Sequence, residues 1–304
     1  MTKKLLYLWA CDYSENSGEG KLAKFYINFL KKENNYKIKV CVPKKYFNYK
    51  YLSPVLGILY CWKNFLENKK TGYINYLPLW NFFLFILLPP KTILGPITGG
   101  ANFSNQKNLN YLIRKSIFPL LYNFSQYFLS FRSKEIIFST DLLKKHLSEK
   151  IKVKSKFDFV IKNINFKKNF LKKRDKDIDF LFYYRKHENK KNFFPYQFIE
   201  SLIHDGFHVS VIGDKLNMKN IKNYGFITNK IVNRLQARTR FTITTGENIY
   251  SIFTIECLSN GVKILIDSKF NKQIRFFKEQ FILTDFNKKN KFLNSKKYNK
   301  SIAI

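Results

Sequence analysis

The chain has 304 residues, room for two domains of ordinary size. Lys and Arg number 55 against 21 Asp and Glu, a formal net charge of +34, yet 45% of the residues are hydrophobic and 18% aromatic. That apolar content excludes an intrinsically disordered chain, and no apolar run reaches the roughly 18 residues that a membrane-spanning helix requires.

Taken in chain order, Leu5 to Ala10 reads as a strand, followed by a polar loop at Ser14–Glu19 that holds Gly18, with Gly20 next to it. Lys21 to Lys32 places Leu22, Phe25, Tyr26, Phe29 and Leu30 at helical spacing. Tyr36–Val42, Gly72–Tyr76, Lys91–Leu94 and Glu135–Ser139 are predicted strands, and Asp141–Glu149 a helix. The apolar run Leu77–Pro90 is too short to span a bilayer and is expected to be a buried helix, with contact to lipid as the functional alternative. Lys150 to Lys176, dense in Lys and Asn, reads as a linker.

Beyond it the alternation restarts. Strands are predicted at Ile178–Tyr184, His208–Ile212, Asn223–Ile227, Phe241–Thr244, Val262–Ile266 and Phe281–Thr284. Helices are predicted at Pro195–Ile203, Asn229–Ala237 and Ser251–Ser259. Strand–helix alternation of this kind predicts parallel sheets covered on both faces. The expectation is therefore an α/β chain of two Rossmann-like doubly wound domains, residues 1–160 and 161–304, facing a central cleft. Ligands in such sheets gather at the carboxyl ends of the strands.

The excess of positive charge attracts polyanions: nucleic acid, anionic lipid or phosphorylated small molecules. It is carried mostly by Lys, alongside abundant Asn, Ile, Phe and Tyr, so a compositional habit is a second source for it. The cysteines Cys11, Cys41, Cys61 and Cys257 stand far apart without Cys-x-x-Cys spacing, as small apolar residues do in a reducing cytoplasm. No secretory leader is expected. Asp177-Ile178-Asp179 has Asp-x-Asp metal spacing but precedes its strand instead of following it, so no metal is expected there. Among His146, His187, His204 and His208 no Ser-His-Asp or Cys-His arrangement can be argued, and His204 and His208 are expected at the surface.

Three segments place chemistry at strand ends. In Thr244 to Gly261 a strand runs through Gly246 to Glu247 and Asn248, and a helix starting near Ser251 carries Glu256. A carboxylate and free helix N–H groups thereby share one place, suited to a hydroxyl-rich group and a phosphate. Tyr184-Arg185 to Lys190 follows the preceding domain-opening strand, and Gly95-Pro96-Ile97-Thr98-Gly99-Gly100 follows a strand of the first half.

These segments, in this order, resemble the GT-B nucleotide-sugar glycosyltransferases, family 4-like. Glu256-Cys257-Leu258-Ser259-Asn260-Gly261 is similar to that family's second-glutamate stretch before a strand. The separation from Glu247 is one residue longer than the family's, so either the turn holds an extra residue or Asn248 takes the first place. Arg185 and Lys190 match the Arg-to-Lys distance of the family's Gly-Arg-x-x-x-x-Lys stretch, with Tyr184 in place of the Gly.

The resemblance implies that Arg185 and Lys190 hold the donor diphosphate and Glu256 the ribose. It further implies that Glu247 or Asn248 contacts the donor sugar, and that Gly246 and Ser251 offer N–H groups to phosphate. Gly18, Glu19, Gly20, Thr98, Gly99 and Gly100 become acceptor-side residues. The implied activity is transfer of a sugar from a nucleotide-diphosphate donor to a glycan or lipid-linked acceptor in surface polysaccharide synthesis, with retention. No metal or cofactor is implied, and the implied location is the cytoplasm with peripheral contact to an anionic membrane. Two other classes stay open: a basic nucleic-acid-binding protein and a catalytically inactive glycosyltransferase-like scaffold.

Overall fold

A computed structural model describes residues 4–34, 36–43, 52–99, 112–162, 176–186, 194–246 and 248–287. The chain divides into two compact units, Met1–Asn163 and Ile164–Ile304.

In the first unit, β1 (Leu5–Trp9) is flanked by β2 (Lys37–Cys41) and β3 (Thr71–Tyr73), and β4 (Ile93–Leu94) completes a sheet of order β2-β1-β3-β4. All its pairings are parallel, with Leu8 opposite both Val40 and Gly72. Past β4 the layer continues through single bridges. Ile97 N–H donates to the Ile137 carbonyl at 2.7 Å and links the sheet to β5 (Ile136–Ile137) and β6 (Ser155–Lys156). The helices are α1 (Gly18–Asn34), α2 (Leu52–Leu66), α3 (Phe82–Leu87), α4 (Phe118–Arg132), α5 (Glu149–Val153) and α6 (Phe159–Lys162). Trp9, Tyr73, Leu79, Phe85, Tyr122, Leu129 and Phe138 form the core between sheet and helices.

Three expectations are corrected here. The presumed linker is structured as far as residue 162: α5, β6 and α6 bury Ile151, Phe159, Val160 and Ile161. Few apolar residues suffice there because these four fall on inward faces, while Val153 stays exposed. The division between the units falls at Asn163–Ile164, beside the expected 160–161. The Leu77–Pro90 run is not a buried helix throughout. Only Phe82–Leu87 is helical, Leu84 and Phe85 point inward, and Phe83, Ile86 and Leu87 stay exposed. Asp141–Glu149 is likewise a short 3₁₀ turn at Lys144–His146, with a helix only from Glu149.

The second unit contains β7 (Ile178–Tyr184), α7 (Tyr196–His204), β8 (Val209–Gly213), β9 (Ile221–Asn223), α8 (Asn229–Ala237), β10 (Thr239–Ile243), α9 (Ile252–Ser259), β11 (Lys263–Asp267) and β12 (Phe281–Thr284). Its sheet order is β12-β11-β10-β7-β8-β9, parallel throughout, the doubly wound Rossmann order with the reversal between β7 and β10. The central strand β7 is apolar on both faces, as a strand covered by helices on both sides must be. Phe180, Phe182 and Tyr184 pack with Phe198, Ile199 and Leu202 of α7, while Ile178 and Leu181 pack with Val232 and Leu235 of α8. Gly206, at φ +83, lets the chain leave α7 in a left-handed turn. The Asp-x-Asp pair lies at the amino end of this sheet. Asp177 accepts from Arg238 Nε at 2.8 Å and Asp179 from Arg240 at 2.9 Å, so both carboxylates serve as cross-strand ion pairs.

Candidate functional site

The reversal of strand order makes the carboxyl ends of β7 and β10 the place where a crevice forms in such a sheet. Arg185 directly follows β7. Its guanidinium donates to the Tyr183 hydroxyl at 3.1 Å, stands 3.5 Å from the Asp214 carboxylate, and lies over the Phe226 ring at 5.4 Å. Asp214 follows β8 and also accepts the Lys186 N–H at 2.7 Å, which ties the ends of β7 and β8 together. Gly213, at φ +99, and Gly225, at φ +68, shape these exits, and Gly213 N–H donates to the Gly225 carbonyl at 3.0 Å. Phe226 leaves 68% of its surface exposed beside a cation, an open aromatic platform.

The second segment begins where β10 ends. Thr244 N–H bonds the Leu265 carbonyl at 3.0 Å, and its hydroxyl reaches the Ile249 carbonyl at 3.3 Å, closing the turn. Gly246 sits under the Phe270 ring, which leaves no room for a Cβ. Asn248 N–H donates to the Thr245 carbonyl, and Ser251 N–H to the Asn248 carbonyl, both at 3.3 Å. Ser251 caps α9: its Oγ accepts the Thr254 N–H at 3.2 Å. The helix expected to offer N–H groups therefore has one of them committed to its own cap.

Tyr183 connects the two segments. Its ring stacks on Phe253 of α9 at 5.6 Å while its hydroxyl holds Arg185. Glu256 is one turn after Phe253, and residues three apart share a helix face. The Tyr183–Phe253 stack thus links Arg185 to α9, the helix that carries Glu256. Glu256 is half-buried, and its backbone carbonyl accepts from the Asn260 side chain at 2.8 Å. Glu247 and Lys190 lie outside the described residues.

In the first unit the strand order reverses between β1 and β3, and charge collects there too. Gly18, Glu19 and Gly20, expected in a loop, form the first turn of α1. Ser17 explains the early start: its Oγ accepts the Gly20 N–H at 2.8 Å and donates to Asp12. Gly20 faces the Ser14 backbone and the Asp12 carboxylate too closely for a Cβ. Asn75 Nδ2 donates to the Asp12 carbonyl at 2.5 Å and to the Glu19 carbonyl at 3.2 Å.

The Glu19 side chain accepts the backbone N–H of Tyr76, which is held left-handed at φ +56. Although the residue as a whole is partly exposed, Oε2 is shut off from solvent and has no hydrogen-bond partner among the described residues. Burial pushes the Glu19 carboxyl up to about 7, and the charge of Asp12 adds to the rise against the Tyr76 N–H. The next residue, Leu77, accepts the Thr98 N–H at 2.9 Å, so the Glu19 turn and the Thr98 segment meet at one edge of this sheet. Thr98 is extended backbone bridged to Pro78, and Gly99 packs on Leu143; Gly100 lies outside the described residues.

Residue spacing did not point to Tyr183, Asp214, Phe226 and Phe253, nor to Asp12, Asn75 and Tyr76. Asp12 and Asp214 each follow a strand closely, and Gly225 stands before Phe226, which are the local signals available.

No family model matches the chain, and no curated protein matches it in sequence. Among solved structures, Anabaena HepE in complex with UDP and glucose is similar at a TM-score of 0.52 with 11% identity, over 99% of this chain and 90% of that one. HepE in complex with UDP-glucose gives a TM-score of 0.52 with 10% identity over the same shares, 99% and 90%. The S. aureus MnaA–UDP structure is more distant, with a TM-score of 0.45, 12% identity, and coverage of 87% of this chain and 79% of that one. At these identities the likeness to HepE is one of fold, and it runs through both units: the chain has the GT-B type of α/β fold, two successive Rossmann-like units.

Proposed function

We propose that the chain is a glycosyltransferase, family 4-like, that binds a nucleoside-diphosphate sugar on its second unit and transfers the sugar to a glycan or lipid-linked acceptor in surface polysaccharide synthesis. What supports this reading is that Arg185, at the β7/β10 reversal, is held by Tyr183, whose ring stacks on Phe253 of α9, the helix that follows the Gly246–Ser251 turn and carries Glu256. Similarity of fold to a protein solved with UDP-glucose supports the same donor class.

In this reading Arg185 and Lys190 neutralise the diphosphate as the bond from sugar carbon to phosphate oxygen breaks. A guanidinium fork already oriented by Tyr183 and Asp214 costs little reorganisation as that charge develops. Glu256 accepts hydrogen bonds from the ribose, and Glu247 or Asn248 contacts the donor sugar. The first unit supplies the acceptor side through Gly18, Glu19, Gly20, Thr98, Gly99 and Gly100. Leaving-group stabilisation of this kind is supplied by the chain's own cations, and the proposal includes no metal or cofactor.

Titration calorimetry with UDP tests the assignment. Arg185→Ala and Lys190→Ala are each expected to weaken binding by on the order of 1–3 kcal/mol, as loss of a charged hydrogen bond does. Arg185→Lys should fall between, keeping the charge and losing the fork. Wild-type affinity in both alanine variants would overturn the site.

A further inference from the structure

The connection between β11 and β12, residues 268–280, leaves the same sheet edge as the Gly246–Ser251 turn, because β10 and β11 are parallel neighbours. It opens on a 3₁₀ turn, Ser268–Gln273, capped by Asp267, whose buried carboxylate accepts the Lys269 N–H at 3.0 Å. Two separate points fasten this connection to the Gly246–Ser251 turn. At the first, the Phe270 ring covers Gly246 and leaves no room for a Cβ. At the second, the Tyr250 hydroxyl accepts the N–H groups of Phe276 at 2.7 Å and Arg275 at 2.9 Å, and donates to the Phe276 carbonyl at 3.0 Å. One donor and two acceptor positions are all that a hydroxyl has. The Tyr250 and Phe276 rings also meet, at 5.8 Å between centroids. Phe277, next along, is held left-handed at φ +55, a conformation that a residue with a Cβ rarely adopts.

The missing side chain of Gly246 therefore makes room for a ring, and that ring is only half-buried. Pinned against backbone, it has little rotamer freedom left to lose when a ligand arrives. Asn248, one of the two residues proposed above to contact the donor sugar, stands two positions after Gly246, so a sugar held at this turn meets the ring. A pyranose presents C–H groups on its faces and hydroxyls around its rim, which suits an aromatic surface with polar groups beside it. One such group is Lys269, exposed, with its ammonium over the Phe270 ring at 5.1 Å.

We infer that Phe270 is the surface on which the pyranose ring of the donor stacks, and that Tyr250 positions it by fastening the β11–β12 connection to the Gly246–Ser251 turn. The inference rests on the donor reading above and adds to it the residue that tells a nucleoside-diphosphate sugar from the bare nucleoside diphosphate. Contact of Arg185 with the diphosphate is common to both ligands, whereas contact with Phe270 belongs to the sugar alone.

Titration calorimetry of the full chain with UDP, UDP-glucose, UDP-galactose and UDP-N-acetylglucosamine tests it. The readout is the Kd of the sugar nucleotide that wild type binds most tightly, divided by the Kd of UDP. Phe270→Leu keeps an apolar group over Gly246 and loses the flat ring, so this ratio should rise on the order of tenfold while UDP affinity stays within about twofold of wild type. Phe270→Tyr keeps the ring and should keep the wild-type ratio. Tyr250→Phe releases the backbone groups of Arg275 and Phe276 and should raise the ratio by about threefold. Equal weakening of UDP and sugar nucleotide, an unchanged ratio in Phe270→Leu or Tyr250→Phe, or wild type that binds UDP and none of the three sugar nucleotides would each overturn the inference. Wild type that does not bind UDP either would overturn the donor reading itself, and the inference with it.

Discussion

A glutamate in the first turn of a helix is ordinarily solvated, yet α1 carries Glu19 against Asp12 and the backbone of Tyr76. Its raised carboxyl binds a proton in the folded state across a range where the unfolded chain has released it. The stabilisation is therefore complete below about 4.5, the ordinary value, and is lost as pH rises through about 7. Glu19→Gln keeps an acceptor for the Tyr76 N–H and removes the titration. Thermal melts at pH 5 and pH 8 should show the variant gaining on wild type at the higher pH, by up to about 3 kcal/mol. The position of this residue was legible, since a glycine-bearing turn after the first strand is where ligands approach. Its burial was not, because Asn75 and Tyr76 arrive from the end of β3, more than fifty residues along the chain. Arg185 is the reverse case: the apolar run from Ile178 to Tyr184 set its place at a strand end, and its partners Tyr183, Asp214 and Phe226 came unannounced.

At the scale of elements, α9 and the turn before it are fixed by a side-chain cap and by a ring packed over a glycine. Ser251 is its cap, so Ser251→Ala should cost about 1 kcal/mol in denaturant unfolding and leave the turn in place. Gly246→Ala should cost more, about 1–3 kcal/mol, because the added methyl must displace the Phe270 ring. Reversal of that order would mean that the Gly246 turn is not packed under Phe270. The cap was readable from Ser251 preceding an apolar run. The ring over Gly246 was not, because Phe270 lies beyond the following strand. In the first unit, α2 and α4 were not recognised as helices at all. Their sequences are apolar at nearly every turn, and a segment with two apolar stripes has no clear period to read. The same double stripe leaves a lipophilic face outside the core. Arg132 marks where α4 is anchored: its guanidinium donates to the carbonyls of Phe85, Leu88 and Pro89 at the end of α3.

For the whole molecule, two units with separate cores predict separable unfolding. A nucleoside diphosphate that binds only the second unit should shift one calorimetric transition of the full chain and leave the other in place. At a UDP concentration of about 100 times Kd the shifted unit gains roughly 2.7 kcal/mol. Movement of both transitions together would contradict a donor site confined to the second unit.

The sequence by itself determined the class of fold, because strand–helix alternation with short connections leaves few topologies open. It also determined that Arg185 and the Gly246–Ser251 turn stand at strand ends, since each strand in a parallel sheet exits on the same edge. Which strands became neighbours was left to tertiary structure, and with it the company those residues keep: β7 beside β10, Tyr183 against Phe253, Asp12 beside Glu19. Tertiary structure alone also decided which apolar stripes the core covers, because hydrophobic spacing names a face without saying what lies against it.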